Sequence, residues 1–281
     1  LGILKMDCLG LRNLTVIDDS LQNILQNRGQ TVVLESLDLN SDQNTFDLLS
    51  SGDTLGVFQL DSDNMRSLLR LLKPSEFEHI SAVIALYRPG PMGMNSHTNY
   101  AQRKNGLQEI DGIHPELAEP LKEILGPTFG LIVYQEQVMA AAQKVAGYTL
   151  GQADLLRRAM GKKKKSEMEM HRKKFIDGAT IKGINNRIAD SIFSKMEKFA
   201  GYGFNKSHSV AYASISYQTA FLKTYYTSEF LSAALSSDMD NTDKVISLVD
   251  ACSEMSTTIL QPNINMSGFN FISVNKNTIL Y

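Results

Sequence analysis

Residues 157–174 read RRAMGKKKKSEMEMHRKK and hold nine basic residues against two glutamates, a net +7 in 18 positions. The other 263 positions hold nineteen basic and twenty-eight acidic residues, so the overall charge of −2 averages two opposites. Such an asymmetry concentrates positive potential in one place. Arg157 and Arg158 come first, on a stretch that is otherwise apolar, so packing is expected to aim them. Gly161 then permits a close backbone approach. Guanidinium groups suit planar, bidentate phosphate recognition better than ammonium groups do. The expected partner is a polyphosphate or a nucleic-acid backbone. A solvated, charged helix is the plain alternative.

A second constellation lies at residues 200–208, AGYGFNKSH. Tyr202, Phe204, Asn205, Lys206, Ser207 and His208 can all contact a base or a phosphate, and the combination fits a nucleotide pocket. Ser207 or Ser209 could equally cap the following helix, and a lone His208 is more often structural than catalytic. Two carboxylate pairs, Asp61-x-Asp63 and Asp238-x-Asp240, mimic metal sites. The first opens a helix, where carboxylates favour the positive end of the dipole. The second lacks the glycine of a calcium loop. Both read as structural. Asp7 differs, because it leaves an apolar strand, and a strand-end carboxylate is a reasonable metal ligand. One Asp cannot hold a catalytic metal pair.

Composition narrows the setting. Hydrophobic residues make up 43% and charged residues 21%, as in ordinary globular proteins. Two cysteines, Cys8 and Cys252, exclude a disulfide framework and point to a reducing, cytoplasmic compartment. Five scattered histidines carry no zinc signature. No apolar run approaches the ~20 residues that span a bilayer, and no signal peptide is visible. Both ends read as cut from something longer.

The elements that must position these residues are mostly helical. A short strand is expected at residues 1–7. Asn13 is expected to cap a helix carrying Leu14, Ile17, Leu21, Ile24 and Leu25 on one face, stopped by Gly29. Helices follow from Asp61, with Met65, Leu68, Leu69 and Leu72 inward, and over 76–86. The prolines of 88–91 forbid regular structure. Further helices are expected over 115–125, 135–145, 152–160 and 166–179. Asn185 caps one with Ile188, Ile192, Met196 and Phe199 inward. Residues 209–226 are apolar on nearly all sides, which predicts a buried central helix. A last helix is capped by Asn241 or Thr242, with Val245, Ile246, Val249 and Cys252 inward. Residues 269–281 read as a β-hairpin around Asn275-Lys-Asn277. One continuous helical body results.

Several segments together carry a resemblance: 5–12 (KMDCLGLR), 57–60 (VFQL), 87–91 (YRPGP), 130–137 (GLIVYQEQ), 147–164 (GYTLGQADLLRRAMGKKK), 198–208 (KFAGYGFNKSH) and 238–242 (DMDNT). The sequence resembles the C-family replicative polymerases, the catalytic alpha subunits of bacterial DNA polymerase III. The likeness covers essentially all 281 residues, in the family's order.

The resemblance implies a mainly α fold. Residues 1–12 would end a nucleotidyltransferase palm on a short β-strand. Residues 13–281 would form a helical fingers domain, with its nucleotide- and DNA-binding segment at 147–208 and a small β-hairpin at about 269–281. It implies two-metal phosphoryl transfer: a primer 3′-hydroxyl attacks the α-phosphorus of a deoxynucleoside triphosphate and pyrophosphate leaves. Asp7 would be the third metal ligand for Mg²⁺, the other two carboxylates lying outside this segment. Arg157, Arg158 and Lys162 would grip the dNTP. Asn205, Lys206 and His208 would line the pocket for the nascent base pair. Arg88, Lys163, Lys164, Arg172 and Lys173 would face primer–template DNA. Sliding clamp and other replicase subunits would bind the parent through regions absent here, and no membrane is involved. The segment alone is expected to be inactive. The competing readings are a non-catalytic nucleic-acid or nucleotide-binding helical module and a purely structural helical protein.

Overall fold

The computed structural model describes residues 2–6, 10–110, 114–162 and 165–281. Along the chain run α1 (Arg12–Arg28), α2 (Gln43–Ser51), α3 (Asp63–Leu72), α4 (Phe77–Leu86), α5 (Pro89–Gly93), α6 (Ser96–Lys104), α7 (Ala118–Leu125) and α8 (Gln135–Ala146). They are followed by α9 (Leu150–Lys162), α10 (Lys165–Ile181), α11 (Asn186–Ala200), α12 (Lys206–Tyr225), α13 (Thr227–Ser237) and α14 (Thr242–Glu254). Three short strands close the chain: β1 (Thr258–Leu260), β2 (Ile272–Asn275) and β3 (Thr278–Leu280). The fold is mainly α, as the sequence indicates. The chain forms two compact units instead of one body: unit 1 joins Leu1–Ser67 to Ser214–Tyr281, and unit 2 is Leu68–Ala213. The divisions fall inside α3 and α12, so no linker composition marks them.

Unit 1 is built on α1 against α13. Val16, Ile17 and Ile24 of α1 meet Phe230, Leu231 and Leu235 of α13, with Leu248 and Cys252 of α14 and Ile279 of β3 in the same core. Fully burying each large side chain contributes about 1.5–3 kcal/mol. Glu229, on the same helix, is also fully buried and receives Arg28 through both oxygens at 2.8 Å. The sheet order is β1-β3-β2, with β1 parallel and β2 antiparallel to β3. The expected hairpin is therefore present, joined by a strand that its length of three residues concealed.

Unit 2 packs α8, α9, α10 and α11 around Val138, Leu156, Phe175, Phe193 and Met196. Helices α8 and α10 touch closely at Gly178, where an added Cβ would lie 2.2 Å from the Ala146 carbonyl oxygen. Helix α4 is buried along nearly its whole length.

Several local expectations change. Residues Gly2–Met6 carry no regular structure, and Ile3, Leu4 and Met6 are exposed. A strand needs a neighbour to take its backbone hydrogen bonds, and none of the described residues supplies one. Asp7 lies outside the described residues. Asn13 does not cap α1: the cap position is Leu11, without a side-chain bond, and Asn13 sits in the first turn. Leu14 and Leu25 are half exposed, while Val16 and Ser20 join Ile17 and Ile24 inside. Residues 89–93 are helical after all, because proline at the first helical position has no amide to waste. Ile246 faces outward and Leu248 inward. Helix α13 has no counterpart in the sequence reading. Asn185 and Asn241 do cap their helices, accepting from Arg187 N and Lys244 N.

Candidate nucleotide and nucleic-acid interface

All the described candidate residues lie in unit 2. Helix α9 starts at a reciprocal cap. The Thr149 hydroxyl accepts from Gln152 N, and Gln152 Oε1 accepts from Thr149 N. Ala153, Leu156, Ala159 and Met160 anchor one face in the core. That leaves Asp154, Arg157 and Arg158 on the outer side, and one carboxylate reaches both arginines at helical i,i+3 and i,i+4 spacing. Asp154 Oδ1 accepts from Arg157 Nη2 at 2.8 Å and Nε at 3.0 Å. Asp154 Oδ2 lies 2.8 Å from Arg158 Nε. The hydrogen bond from Arg157 is the main cause holding the Asp154 carboxyl below its ordinary range. The two guanidinium groups are aimed by this carboxylate, where the sequence pointed to packing.

Arg157 Nη1 also donates to Gln135 Oε1 at 3.3 Å. Gln135 opens α8, and its backbone N–H donates to the Phe204 carbonyl at 2.9 Å. Phe204 N donates in turn to the Val133 carbonyl at 3.1 Å, forming a parallel bridge between Tyr134 and Phe204. Gly203 packs closely beside it, since a Cβ there would sit 3.1 Å from Gln135 Cγ. Residues 200–208 are therefore stapled to the start of α8.

The loop is held from two further sides. Glu136 accepts from Lys206 N at 3.1 Å and from Asn205 Nδ2 at 3.1 Å, which places a carboxylate at the positive end of α12. Asn205 Oδ1 accepts from His208 N, so Asn205 caps that helix. Arg88 donates to the carbonyls of Tyr202 at 2.7 Å and Ala85 at 2.9 Å, and its guanidinium lies 4.4 Å from the Phe204 ring centroid. Burial lowers the Arg88 pKa from its ordinary value. Gly90, in the same turn, leaves room for the Tyr202 ring, which a Cβ would strike at 2.1 Å.

Below the loop, Ser81, Tyr134 and Ser209 share buried hydroxyl bonds of 3.0 and 3.2 Å. Burial pushes the Tyr134 phenol up to about 12. Lys206 Nζ stands 3.8 Å from Glu78 and 5.5 Å from the Tyr134 ring centroid. His208 lies between Phe204 and Tyr212, with centroids 5.5 and 4.2 Å away.

The basic run divides by environment. Lys162 and Lys173 are exposed. Lys163 and Lys164 lie outside the described residues. Arg172, partly exposed, pairs with Asp190 at 2.5 Å and Glu197 at 2.9 Å, with its guanidinium over the Phe193 ring. A cavity of about 540 Å³ between α9 and α10 is edged by Arg158, Lys162 and Lys174, with Glu167 the one acidic residue.

One line of contacts thus runs Arg158–Asp154–Arg157–Gln135–Phe204–Arg88, and Glu136 ties Asn205 and Lys206 to it. Asp154 was open to sequence reasoning through its helical spacing from both arginines. Glu136 and Gln135 were not, because their partners lie 70 and 22 positions away. Of the two carboxylate pairs, Asp240 takes Arg12 at 3.0 Å and Asp63 stands 3.7 Å from Arg66, both on the surface. No group of three or more His, Cys, Asp or Glu among the described residues could hold a metal ion. No helix among them is long and apolar enough to cross a membrane.

Residues 13–183 match the family model described as the bacterial DNA polymerase III alpha subunit finger domain. The DNA polymerase III subunit alpha of Mycobacterium tuberculosis H37Rv is 52% identical over 274 residues, covering 98% of this chain and 23% of that protein. The corresponding subunit of Mycobacterium leprae is also 52% identical over 274 residues, with the same coverage. The Escherichia coli K12 subunit is 47% identical over 287 residues, covering all of this chain and 24% of that protein. The chain therefore spans about a quarter of the length of these relatives. With the family model matching well over half of its residues, the chain belongs to the bacterial DNA polymerase III alpha subunit finger domain family.

Proposed function

We propose that this chain forms the nucleotide- and DNA-binding fingers of a replicative DNA-directed DNA polymerase. The observation that carries the reading is the contact line that links Arg157, Arg158, Lys206 and Arg88 within unit 2. Arg157 and Arg158, with Lys162 beside them, bind the triphosphate of an incoming deoxynucleotide. Their positive charge offsets the negative charge that builds on the leaving pyrophosphate. Lys206 and His208 border the nascent base pair. Asn205 acts from beneath by fixing the start of α12, and Arg88 holds the loop through Tyr202 and Phe204. Lys173, with Lys163 and Lys164, meets the backbone of primer–template DNA.

The described residues do not by themselves form a metal site. Mg²⁺, when bound by Asp7 and carboxylates from elsewhere in the polypeptide, would activate the primer hydroxyl and neutralise phosphate charge. The parent's clamp and other replicase partners bind outside this segment.

The test uses a full-length polymerase subunit carrying this segment. Arg157→Ala should lower kcat/KM for nucleotide by roughly 10- to 100-fold, the equivalent of one or two charge-assisted hydrogen bonds. Unchanged nucleotide kinetics would sink the triphosphate assignment. The 281-residue chain on its own should bind DNA in a salt-dependent way without extending a primer. Those two results are also what a non-catalytic binding module would give, and the full-length kinetics separate the two readings.

A further inference from the structure

We propose that Asp154 is a positioning residue for the reaction, setting the planes of the Arg157 and Arg158 guanidinium groups before the triphosphate arrives. The proposal rests on the reading of these arginines as triphosphate ligands.

Neighbouring residues on a helix point about 100° apart, and two adjacent guanidinium groups repel each other. Left alone, they would spread into solvent through many rotamers. Asp154 overcomes both tendencies. Its Oδ1 takes two donors from Arg157 and its Oδ2 takes Nε of Arg158. The third anchor is Gln135, which accepts from Arg157 Nη1 and whose backbone is bonded to Phe204. The orientation of Arg157 is thereby referenced to the loop that carries Lys206 and His208.

Fold maintenance does not account for this arrangement. The side chains of Asp154 and Arg158 are 29% and 63% exposed, and ion pairs in that setting add little to stability. Helix α9 already has its reciprocal cap and a buried apolar face. The clamp also lowers the local positive charge by one unit, which opposes simple attraction of a polyanion. A group that weakens attraction and fixes geometry is arranged for orientation, where a well-placed ligand gains more than a well-attracted one.

That conflict gives the test a sign. Asp154→Asn adds one unit of net positive charge and removes the shared carboxylate. If attraction dominated, the nucleotide KM would fall. Under the positioning role it rises, by about tenfold for one lost charge-assisted contact. The kcat should change by less than about threefold, and the primer–template Kd and thermal midpoint should stay close to the parent's. Asp154→Glu, which keeps the charge, should recover part of the loss. The double variant Asp154→Asn with Arg157→Ala should be scarcely worse than Arg157→Ala alone, because both remove one coupled unit.

A lower or unchanged KM in Asp154→Asn overturns the proposal, and so does full additivity in the double variant. The two readings fail differently. If Arg157→Ala and Arg158→Ala raise KM and Asp154→Asn does not, only the positioning role falls. If neither arginine variant changes KM, the triphosphate assignment falls and takes this inference with it.

Discussion

In unit 1 the carboxylate of Glu229 receives Arg28 at 2.8 Å on both oxygens and is entirely buried. In unit 2 the carboxylate of Asp154 receives Arg157 and Arg158 at the same distance, yet keeps 29% of its side chain exposed. The chemistry is shared and the surroundings are not. Around Glu229 the charge is removed from water; the carboxylate also accepts from the Ser228 hydroxyl at 3.1 Å, and Arg28 lies 4.7 Å from the Tyr226 ring centroid. Removing one partner there strands the other. Around Asp154 water remains available, so an anion can reach the arginines while the carboxylate keeps their planes set. The first clamp closes a structure and the second presents side chains to a ligand.

Three measurements test that contrast. The largest effect is expected from Glu229→Ala in the 281-residue chain, which should lose about 3–5 kcal/mol of unfolding free energy in urea. A loss under about 1 kcal/mol would mean that burial does not distinguish the two clamps.

The second concerns buried bases. In unit 2, His79 is 5% exposed, stacks on Phe129 and accepts from Ser75 N. Burial, with the nearby Lys104, lowers its pKa from 6.5 to about 4. Between those values the unfolded chain binds the proton and the folded one does not. Stability should therefore fall by up to about 3 kcal/mol as pH drops from 6.5 to 4. In unit 1, Lys223 donates to the Leu55 carbonyl at 2.8 Å, and burial lowers its pKa to about 8. Its contribution has the same sign in a higher window, with stability rising as pH climbs from 8 towards 10. His79→Phe should flatten the acid slope and leave the alkaline one. Equal acid slopes in parent and variant would show that the cost of burial lies elsewhere.

The smallest effect is expected from Asp154→Asn, whose thermal midpoint should stay close to the parent's. A loss like that of Glu229→Ala would make the exposed clamp structural and erase the contrast.

What the sequence reveals depends on distance along the chain. Helices α3, α11 and α14 were readable because caps and apolar spacing are local signals. Helix α13 was not: its buried face includes Ser228, Glu229 and Ser232, so it has no amphipathic stripe to read. Strand β1 was hidden because its partner, β3, starts twenty positions later. The strand over 1–7 was expected from an apolar pattern alone, and residues 2–6 carry no regular structure for want of the neighbour a strand requires. In the candidate site, Arg157, Arg158 and the 200–208 loop were legible as types and spacing. Their orientation was not, because it comes from Asp154, Gln135 and Glu136 in contacts that composition does not display. Arg172, which the sequence groups with the basic run, pairs with Asp190 and Glu197, partners that its position in the run does not display.

The Tyr134–Phe204 bridge has a kinetic meaning. It closes a loop of seventy residues, and such a closure costs chain entropy before its few hydrogen bonds can form. Helices α8 to α11 lie between its two ends. The pairing is favourable only once those helices have brought residues 134 and 204 together. Ordering of the candidate site is thus a late event of folding, and it reports that the helical core behind it is complete.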